Sequence, residues 1–555
     1  VATAESQSAF RAPEDPGAGR ARRPLRIVFV LRDTSFLRFF MAPLEALVER
    51  GHAVQLLLED RVPLDGVGGN ASEVQWLERM VALPSFEYEV VDHFSRSRWT
   101  SGGYEVRRAL NYVRTLAPEF DDKPVYRWRS ERRSREAIRK LAAHPLMQRP
   151  RTRALLFRLL SVADRAVPRP PAPGRYLERT RPDVVAVCDY GIAGSLYSTY
   201  VEAARRHGIP VATCVASWDN LTSRQLLGAE PDALLVWNEQ QREEAVEIHG
   251  VSPGTVVITG AQCFDHWFDW TPRPRREFCR RVGLDPERPF ALWVGGALAP
   301  AELTEAQFVA EWLAALRASE DPGLRELGVL LRPHPKRFDE WQAEDLRRFD
   351  GIEMWPREAS AFPTGPEERA DFFDSIFHSV AVLGINTSAM IEAAIVGRPV
   401  LGIRPDVFRD SHEGSIHFAY IAEDEGGFVR AAGSIDEHLA QLRGALGPDT
   451  AALAERNRAF VARFVRPRGV DRRATDVFVE ELERLPDAER TPWQDPWWIA
   501  PVRATMGVLV VLVQLVALGQ RGRKSIVYRS GLVVDVAQRR LRRDRTSQTR
   551  PPGGR

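Results

Sequence analysis

The sequence predicts an α/β protein: two doubly wound parallel-sheet domains in tandem, followed by a helical C-terminal extension. Three observations carry this. Apolar runs of strand length recur, "IVFVL", "VVAVC" and "VATCVA" in the first half, "ALWV", "GVLL" and "VAVLG" in the second. Runs that are apolar at every residue mark strands covered on both faces, as in parallel sheets flanked by helices. Segments of helical period lie between them. Finally, a chain of 555 residues is too long for one core, since domains hold roughly 100–200 residues.

Residues 1–23 are rich in Pro, Gly and Ala and have no apolar core. They read as a disordered lead-in and not as a signal peptide. The first domain is expected over 24–270. "LRIVFVL" opens it as a strand. Phe36, Phe40, Leu44 and Leu47 follow at helical spacing, Gly51 stops that helix, and "AVQLLLE" is the next strand. Residues 104–165 form a helical insertion with a strong basic excess, densest in "VYRWRSERRSREAIRK". It is either a solvated face or a basic surface turned toward anionic lipid or a phosphate-bearing acceptor. The alternation resumes at "RPDVVAVCD", with a helix over Ser195–His207, then "IPVATCVAS", "DALLVWN", a helix and "TVVITG".

The polar, proline-containing stretch 271–288 is expected to be an interdomain linker. A second domain over 289–485 starts at "FALWVGGAL". It continues through a helix over Glu302–Arg317, the strands "LGVLLRPHP" and "GIEMWP", and "DFFDSIFHSVAVLGINTSAMIEAAIVGRPVLGI".

Net charge is only +2, so bulk attraction to nucleic acid is excluded. The four cysteines are scattered, which excludes a disulfide framework or a structural zinc motif and suits a cytoplasmic setting. The tail, 486–555, is expected to associate with a membrane. Trp493, Trp497 and Trp498 precede an apolar run over 504–519, and Arg521, Arg523 and Lys524 follow it. That run falls short of the about 20 residues a span needs, so it reads as a segment lying in the interface. A tilted span and a buried helix are the other readings. The protein is thus expected on the inner face of the cell membrane, peripheral or monotopic.

In open α/β sheets ligands bind beyond the carboxyl ends of the strands. Those ends carry Arg32-Asp33-Thr34, Asp189-Tyr190-Gly191 and Ser217-Trp218-Asp219-Asn220 in the first domain. In the second they carry Gly295-Gly296, Arg332-Pro333-His334-Pro335-Lys336 and Asn386-Thr387-Ser388. The last group opens a helix. Its free N–H groups and positive end suit a diphosphate, and its short polar side chains do not block one. Glu392 lies one turn in, on the same face as Ser388. There a carboxylate can accept from both hydroxyls of a ribose; the plainer reading is a rim salt bridge. Arg332, His334 and Lys336 add donors for phosphate oxygens, and Gly295 and Gly296 admit close backbone approach. No Asp-x-Asp triplet occurs. Neither metal nor cofactor is therefore expected, with the helix dipole and Arg/Lys neutralising the diphosphate.

"VFVLRDTSFLRFFMAPLEALVERGHAV", "RPHPK", "VAVLGINTSAMIEAAIVGRPVLGI" and "ITGAQCFDHW" together resemble GT-B glycosyltransferases, nearest the CDP-glycerol glycerophosphotransferase and capsular-polysaccharide branch. The resemblance covers roughly Leu25 to Leu485. It implies two Rossmann-like domains facing a cleft, with the nucleotide donor mainly on the second. It also implies site roles for His334, Thr387 and Ser388, with Glu392 at the family's acid. The branch's first-domain loop with a catalytic histidine is replaced here by "ASWDNLTSRQ", which favours a sugar donor over glycerophosphate.

The expected activity is transfer of a sugar from a nucleoside-diphosphate sugar to a cell-surface polysaccharide or lipid-linked acceptor. Asp33 and Asp219 are the candidate bases; Asp33 as a helix cap and Asp219 in an Asx turn are their structural readings. Glycerophosphate transfer, a nucleotide-sugar 2-epimerase and an inactive scaffold are the alternatives.

Overall fold

Seven strands build the first sheet. They are β1 (Arg26–Leu31), β2 (Ala53–Glu59), β3 (Phe86–Val91), β4 (Val184–Cys188), β5 (Val211–Cys214), β6 (Ala233–Val236) and β7 (Val256–Ile258). Six build the second: β8 (Phe290–Val294), β9 (Gly328–Arg332), β10 (Ile352–Met354), β11 (Val382–Gly384), β12 (Val400–Ile403) and β13 (Arg430–Ala432). The structure is a computed structural model and describes residues 23–59, 71–91, 98–121, 123–188, 197–358, 363, 365–447 and 451–505.

The strand orders are β3-β2-β1-β4-β5-β6-β7 and β10-β9-β8-β11-β12-β13, and every pairing is parallel. In both sheets the order turns around at the first strand: between β1 and β4, and between β8 and β11. Those two switch points are where a crevice opens beyond the strand ends. The central strands are buried along their length, as their unbroken apolar sequence requires. Two strands are not announced by such runs. β3, "FEYEVV", exposes its four middle residues at the sheet edge, and β13 is three residues long.

The segment 271–288 is an ordered part of the second domain and not an open linker. Helix Arg275–Val282 buries Phe278, Cys279 and Val282 completely against Phe290 and Ile376. Arg273 bonds Asp374 and Asp371, both at 2.8 Å. The same apolar cluster continues through Trp267, Phe264 and Trp237 of the first domain, so the two domains share packing where the chain crosses.

The expected second-domain boundary at 485 also shifts. Helix Ala474–Arg484 returns to the first domain and adds Phe478, Val479 and Leu482 to its core, as does Leu485 just beyond it. The rings of Phe40 and Phe478 lie 6.1 Å apart. Each such side chain contributes about 1.5–3 kcal/mol of burial. Asp265 joins the outgoing and returning crossings. It accepts from Arg466 Nη2 at 2.7 Å and Nε at 3.0 Å, and from the Thr475 and Ala474 N–H groups at 2.7 and 3.1 Å.

The tail as far as Thr505 folds back on the first domain. Arg206 forms a two-pronged pair with Asp495, 2.8 Å on each side, and Arg503 donates to the Ala166 carbonyl. Trp497 is 87% exposed. Most of the apolar run 504–519 lies outside the described residues. Among those described, no helix is long and apolar enough to cross a membrane.

Candidate functional site

At the second switch point, Gly295 and Gly296 follow β8 directly. A Cβ on Gly295 would lie 2.9 Å from the His334 nitrogen, and one on Gly296 2.7 Å from the Asn386 carbonyl oxygen. The Gly296 N–H donates to the buried Glu305 carboxylate at 2.8 Å. The glycines thus let three strand ends converge. The space beside them is filled by the protein's own backbone, a correction to the expected ligand approach.

Asn386 and Arg332 are corrected in the same way. The Asn386 amide donates to the Ser411 carbonyl at 2.6 Å and ties that loop down. Arg332 is buried, donates to Ser375 Oγ at 2.9 Å and the Asp371 carbonyl at 3.2 Å, and lies over the Phe372 ring. Burial lowers its pKa to about 10. It is a cation beneath the site and not a group presented to it.

Five expected residues do converge. Thr387 and Ser388 open the helix Ala389–Val396, with Ser388 exposed at its N-cap. Glu392, in the first turn, keeps partial solvent access. Desolvation nonetheless lifts its carboxyl to about 8, against the pull of Arg38 and Arg332. His334 caps the turn after β9 by accepting from the Lys336 N–H at 3.1 Å on Nδ1. Burial and the nearby Lys336 lower its pKa to about 4. The ring is therefore neutral at pH 7. With Nδ1 accepting, that bond assigns its proton to Nε2, which makes Nε2 a donor. Lys336 is exposed; burial and the neighbouring Arg38, Arg224 and Arg32 depress its pKa. Those three arginines belong to the first domain.

Arg38 is the residue that strand-end reasoning misses. It sits on helix Leu37–Glu49, and its charge is felt by Glu392 and Lys336 from the second domain. Its own pKa is lowered by burial, opposed by Glu73, Cys263, Glu392 and Asp219.

Neither expected base is free to act as one. Asp33 is buried, accepts from the Ser35 N–H at 2.9 Å and from its hydroxyl, and caps a 3-10 turn, its structural reading. Asp219 accepts from Ser217 Oγ and Ser223 Oγ, both 2.8 Å, one on each oxygen. Desolvation raises its pKa. The neighbouring His417 and Arg224 and the two hydroxyls overcome that and leave it at about 2. A carboxylate so low is a poor proton acceptor at neutral pH. Asp189, Tyr190 and Gly191 lie outside the described residues.

His417 lies close enough to Asp219 to feel its charge. It comes from the second domain, and its ring meets Trp218 edge-on at 4.7 Å. The residue is partly exposed, while its Nδ1 is buried without a hydrogen-bond partner. Burial lowers its pKa and Asp219 raises it, so at pH 7 the ring is neutral beside a fixed negative charge. His412, five residues earlier, is buried between the Pro405 carbonyl and the Glu413 N–H.

Two further contacts cross the domain boundary. The Tyr126 hydroxyl, on the basic insertion, accepts from the Ile416 N–H at 3.1 Å. The Tyr420 hydroxyl donates to buried Glu244. Burial lifts the Glu244 carboxyl to about 8, with the Tyr420 bond pulling the other way. Below the ordinary Glu pKa, about 4.3, folded and unfolded chains both hold this proton. From there to pH 8 only the folded chain does, so this group lowers stability as pH rises. Glu244→Gln is therefore expected to melt about 2–4 °C above the parent at pH 8. The two should coincide near pH 4 in thermal scans. A gap independent of pH would remove the titration account.

Two doubly wound, parallel-sheet Rossmann-like domains that share packing where the chain crosses are the class of fold this chain adopts. No protein-family model matches it, and no curated protein does. Similar solved structures include a putative UDP-N-acetylglucosamine 2-epimerase from Listeria monocytogenes (TM-score 0.48, 13% identity, 85% of this chain and 100% of that one). A glycosyltransferase from Rickettsia africae aligns with TM-score 0.47 and 9% identity over 84% of this chain and 100% of its own. A UDP-GlcNAc 2-epimerase from Methanocaldococcus jannaschii gives 0.46 and 12% over 83% and 99%. Likeness at this level says nothing of substrate.

Proposed function

We propose that this chain is a glycosyltransferase that moves a sugar from a nucleoside-diphosphate sugar to a cell-surface polysaccharide or lipid-linked acceptor. The observation that carries the reading is the convergence of Lys336, His334, the Thr387-Ser388 helix start and Glu392 at the second switch point, facing Arg38 of the first domain. The helix end and the cations hold the diphosphate. Glu392 receives the ribose hydroxyls. In the transfer step the acceptor hydroxyl attacks the anomeric carbon, the bond from that carbon to the diphosphate breaks, and the hydroxyl proton passes to His417. The Asp219 charge stabilises the protonated form of that imidazole. The tail beyond Thr505 holds the enzyme against the cytoplasmic face of the membrane, which sedimentation with lipid vesicles tests.

Titrating the full chain with nucleoside diphosphates by calorimetry tests the donor site. Glu392→Ala is expected to weaken the preferred nucleotide about tenfold, the loss of one hydrogen-bonding carboxyl. Incubation with a panel of nucleotide sugars separates the alternatives. Diphosphate release that needs an acceptor supports transfer. Release without acceptor marks a hydrolysing epimerase, CMP release from CDP-glycerol marks glycerophosphate transfer, and absence of nucleotide binding sinks all three.

A further inference from the structure

The basic insertion and the loop after β5 enclose a pocket that the transfer mechanism above does not use. It is lined by Arg108, Arg114, Arg129, Arg133 and Arg224, with Asn111, Thr115, Ser130 and Ser223 between them. Helices Arg98–Arg114 and Pro124–Arg133 supply four of the five arginines, and the segment that positions Asp219 supplies the fifth. Together they place five guanidinium groups around one space.

Four of the five, Arg108, Arg129, Arg133 and Arg224, are poorly neutralised. Arg108 has Glu105 at 3.6 Å. Arg129, Arg133 and Arg224 have no carboxylate within ion-pair distance among the described residues. The Nε atoms of Arg108 and Arg224 are buried with no hydrogen-bond partner. Arg133 is depressed by desolvation and by Arg224, Arg129 and Arg108, so these groups repel one another. An ordinary solvated face spreads its cations and pairs them with acids. Crowded arginines with unused donors instead await an anion with several acceptor oxygens.

The pocket also adjoins the cleft. Arg129 is close enough to perturb His417, and Arg224 close enough to perturb both Asp219 and Lys336. Tyr126, on its wall, holds the Ile416 N–H of the second domain. An anion here lies on the first-domain side, next to the proposed base.

We propose that this arginine pocket binds the phosphate or diphosphate group of the acceptor. The proposal rests on the transferase reading and narrows the acceptor to a phosphate-bearing molecule, whether a lipid-linked diphosphate or a water-soluble sugar phosphate.

The test is calorimetric titration of the full chain and of the double variant Arg129→Ala/Arg133→Ala with inorganic pyrophosphate, a sugar phosphate and the preferred nucleotide. A flotation assay runs beside it, with vesicles of neutral lipid, of neutral lipid doped with a polyprenyl diphosphate, and of phosphatidylglycerol at matched charge. Unchanged circular dichroism and melting temperature verify that the variant folds; Arg129→Lys/Arg133→Lys serves if it does not.

The expected result is pyrophosphate binding weakened at least tenfold in the variant, steeply salt-dependent in the parent, with nucleotide affinity changed less than twofold. Binding of the sugar phosphate assigns a soluble acceptor, and preference for the polyprenyl diphosphate vesicles a lipid-linked one. Either supports the pocket. The proposal is overturned if the parent binds neither pyrophosphate nor sugar phosphate at millimolar concentration, or if the variant loses nucleotide as strongly as pyrophosphate. Phosphatidylglycerol vesicles binding as well as the diphosphate-doped ones would also overturn it, leaving a general membrane-facing surface. Pyrophosphate binding with no nucleotide binding would sink the donor reading and leave the pocket standing.

Discussion

Replacing His417 by alanine is expected to lower kcat by about 10²–10³-fold while nucleotide affinity changes little. Asp219 holds two hydroxyls and stays ionised at about pKa 2, so it cannot take the acceptor's proton efficiently. His417 lies within its field, is neutral at pH 7, and is fixed edge-on against Trp218. The parent's rate should fall as pH drops through a value below the ordinary histidine pKa, and the alanine variant should lose that limb. Steady-state kinetics of the parent and His417→Ala across pH 5–8 check both. A loss under threefold, or an unaltered acid limb, would remove His417 from the proton-transfer role. Asp219→Asn is expected to share the defect, because it removes the charge that stabilises the imidazolium.

The second large effect concerns stability. Asp265→Ala should lower unfolding free energy by about 3–5 kcal/mol, the cost of leaving a buried charge without its partner. Asp265 is 1% and Arg466 6% exposed. The same carboxylate caps the Ala474–Arg484 helix through two backbone N–H groups, which adds about 1 kcal/mol. Urea unfolding followed by tryptophan fluorescence measures it, with Asp265→Asn retaining part of the capping. A change under 1 kcal/mol would mean that water replaces the carboxylate.

How much of this was legible in the sequence follows from which signals are local. The inner strands announced themselves as apolar runs because both their faces are covered. β3 and β13 did not, because an edge strand needs neither an apolar sequence nor length. The stretch 271–288 carries the prolines and charges of a linker, yet three apolar residues at helical spacing, Phe278, Cys279 and Val282, pin it into a core. At the site, position after a strand located the right loops but not the direction of each side chain. Arg332 ends β9 and Asn386 comes just after β11, and both turn inward, to Ser375 and Ser411. The basic excess around Arg129 and Arg133 was visible in the sequence, but not that these two share a pocket with Arg224, and Arg38 owes its importance to neighbours far away in the chain that no spacing rule reports.

The return of residues 474–485 to the first core has a consequence for how the protein is made. A ribosome emits the first sheet hundreds of residues before Phe478, Val479, Leu482 and Leu485, the side chains that complete its packing. Until they emerge, the apolar faces of Phe40 and its neighbours are uncovered. The N-terminal half therefore passes through synthesis as an unfinished body that depends on the helix Ala474–Arg484 to close it. Interrupted translation anywhere between the two sheets leaves a fragment with an open core.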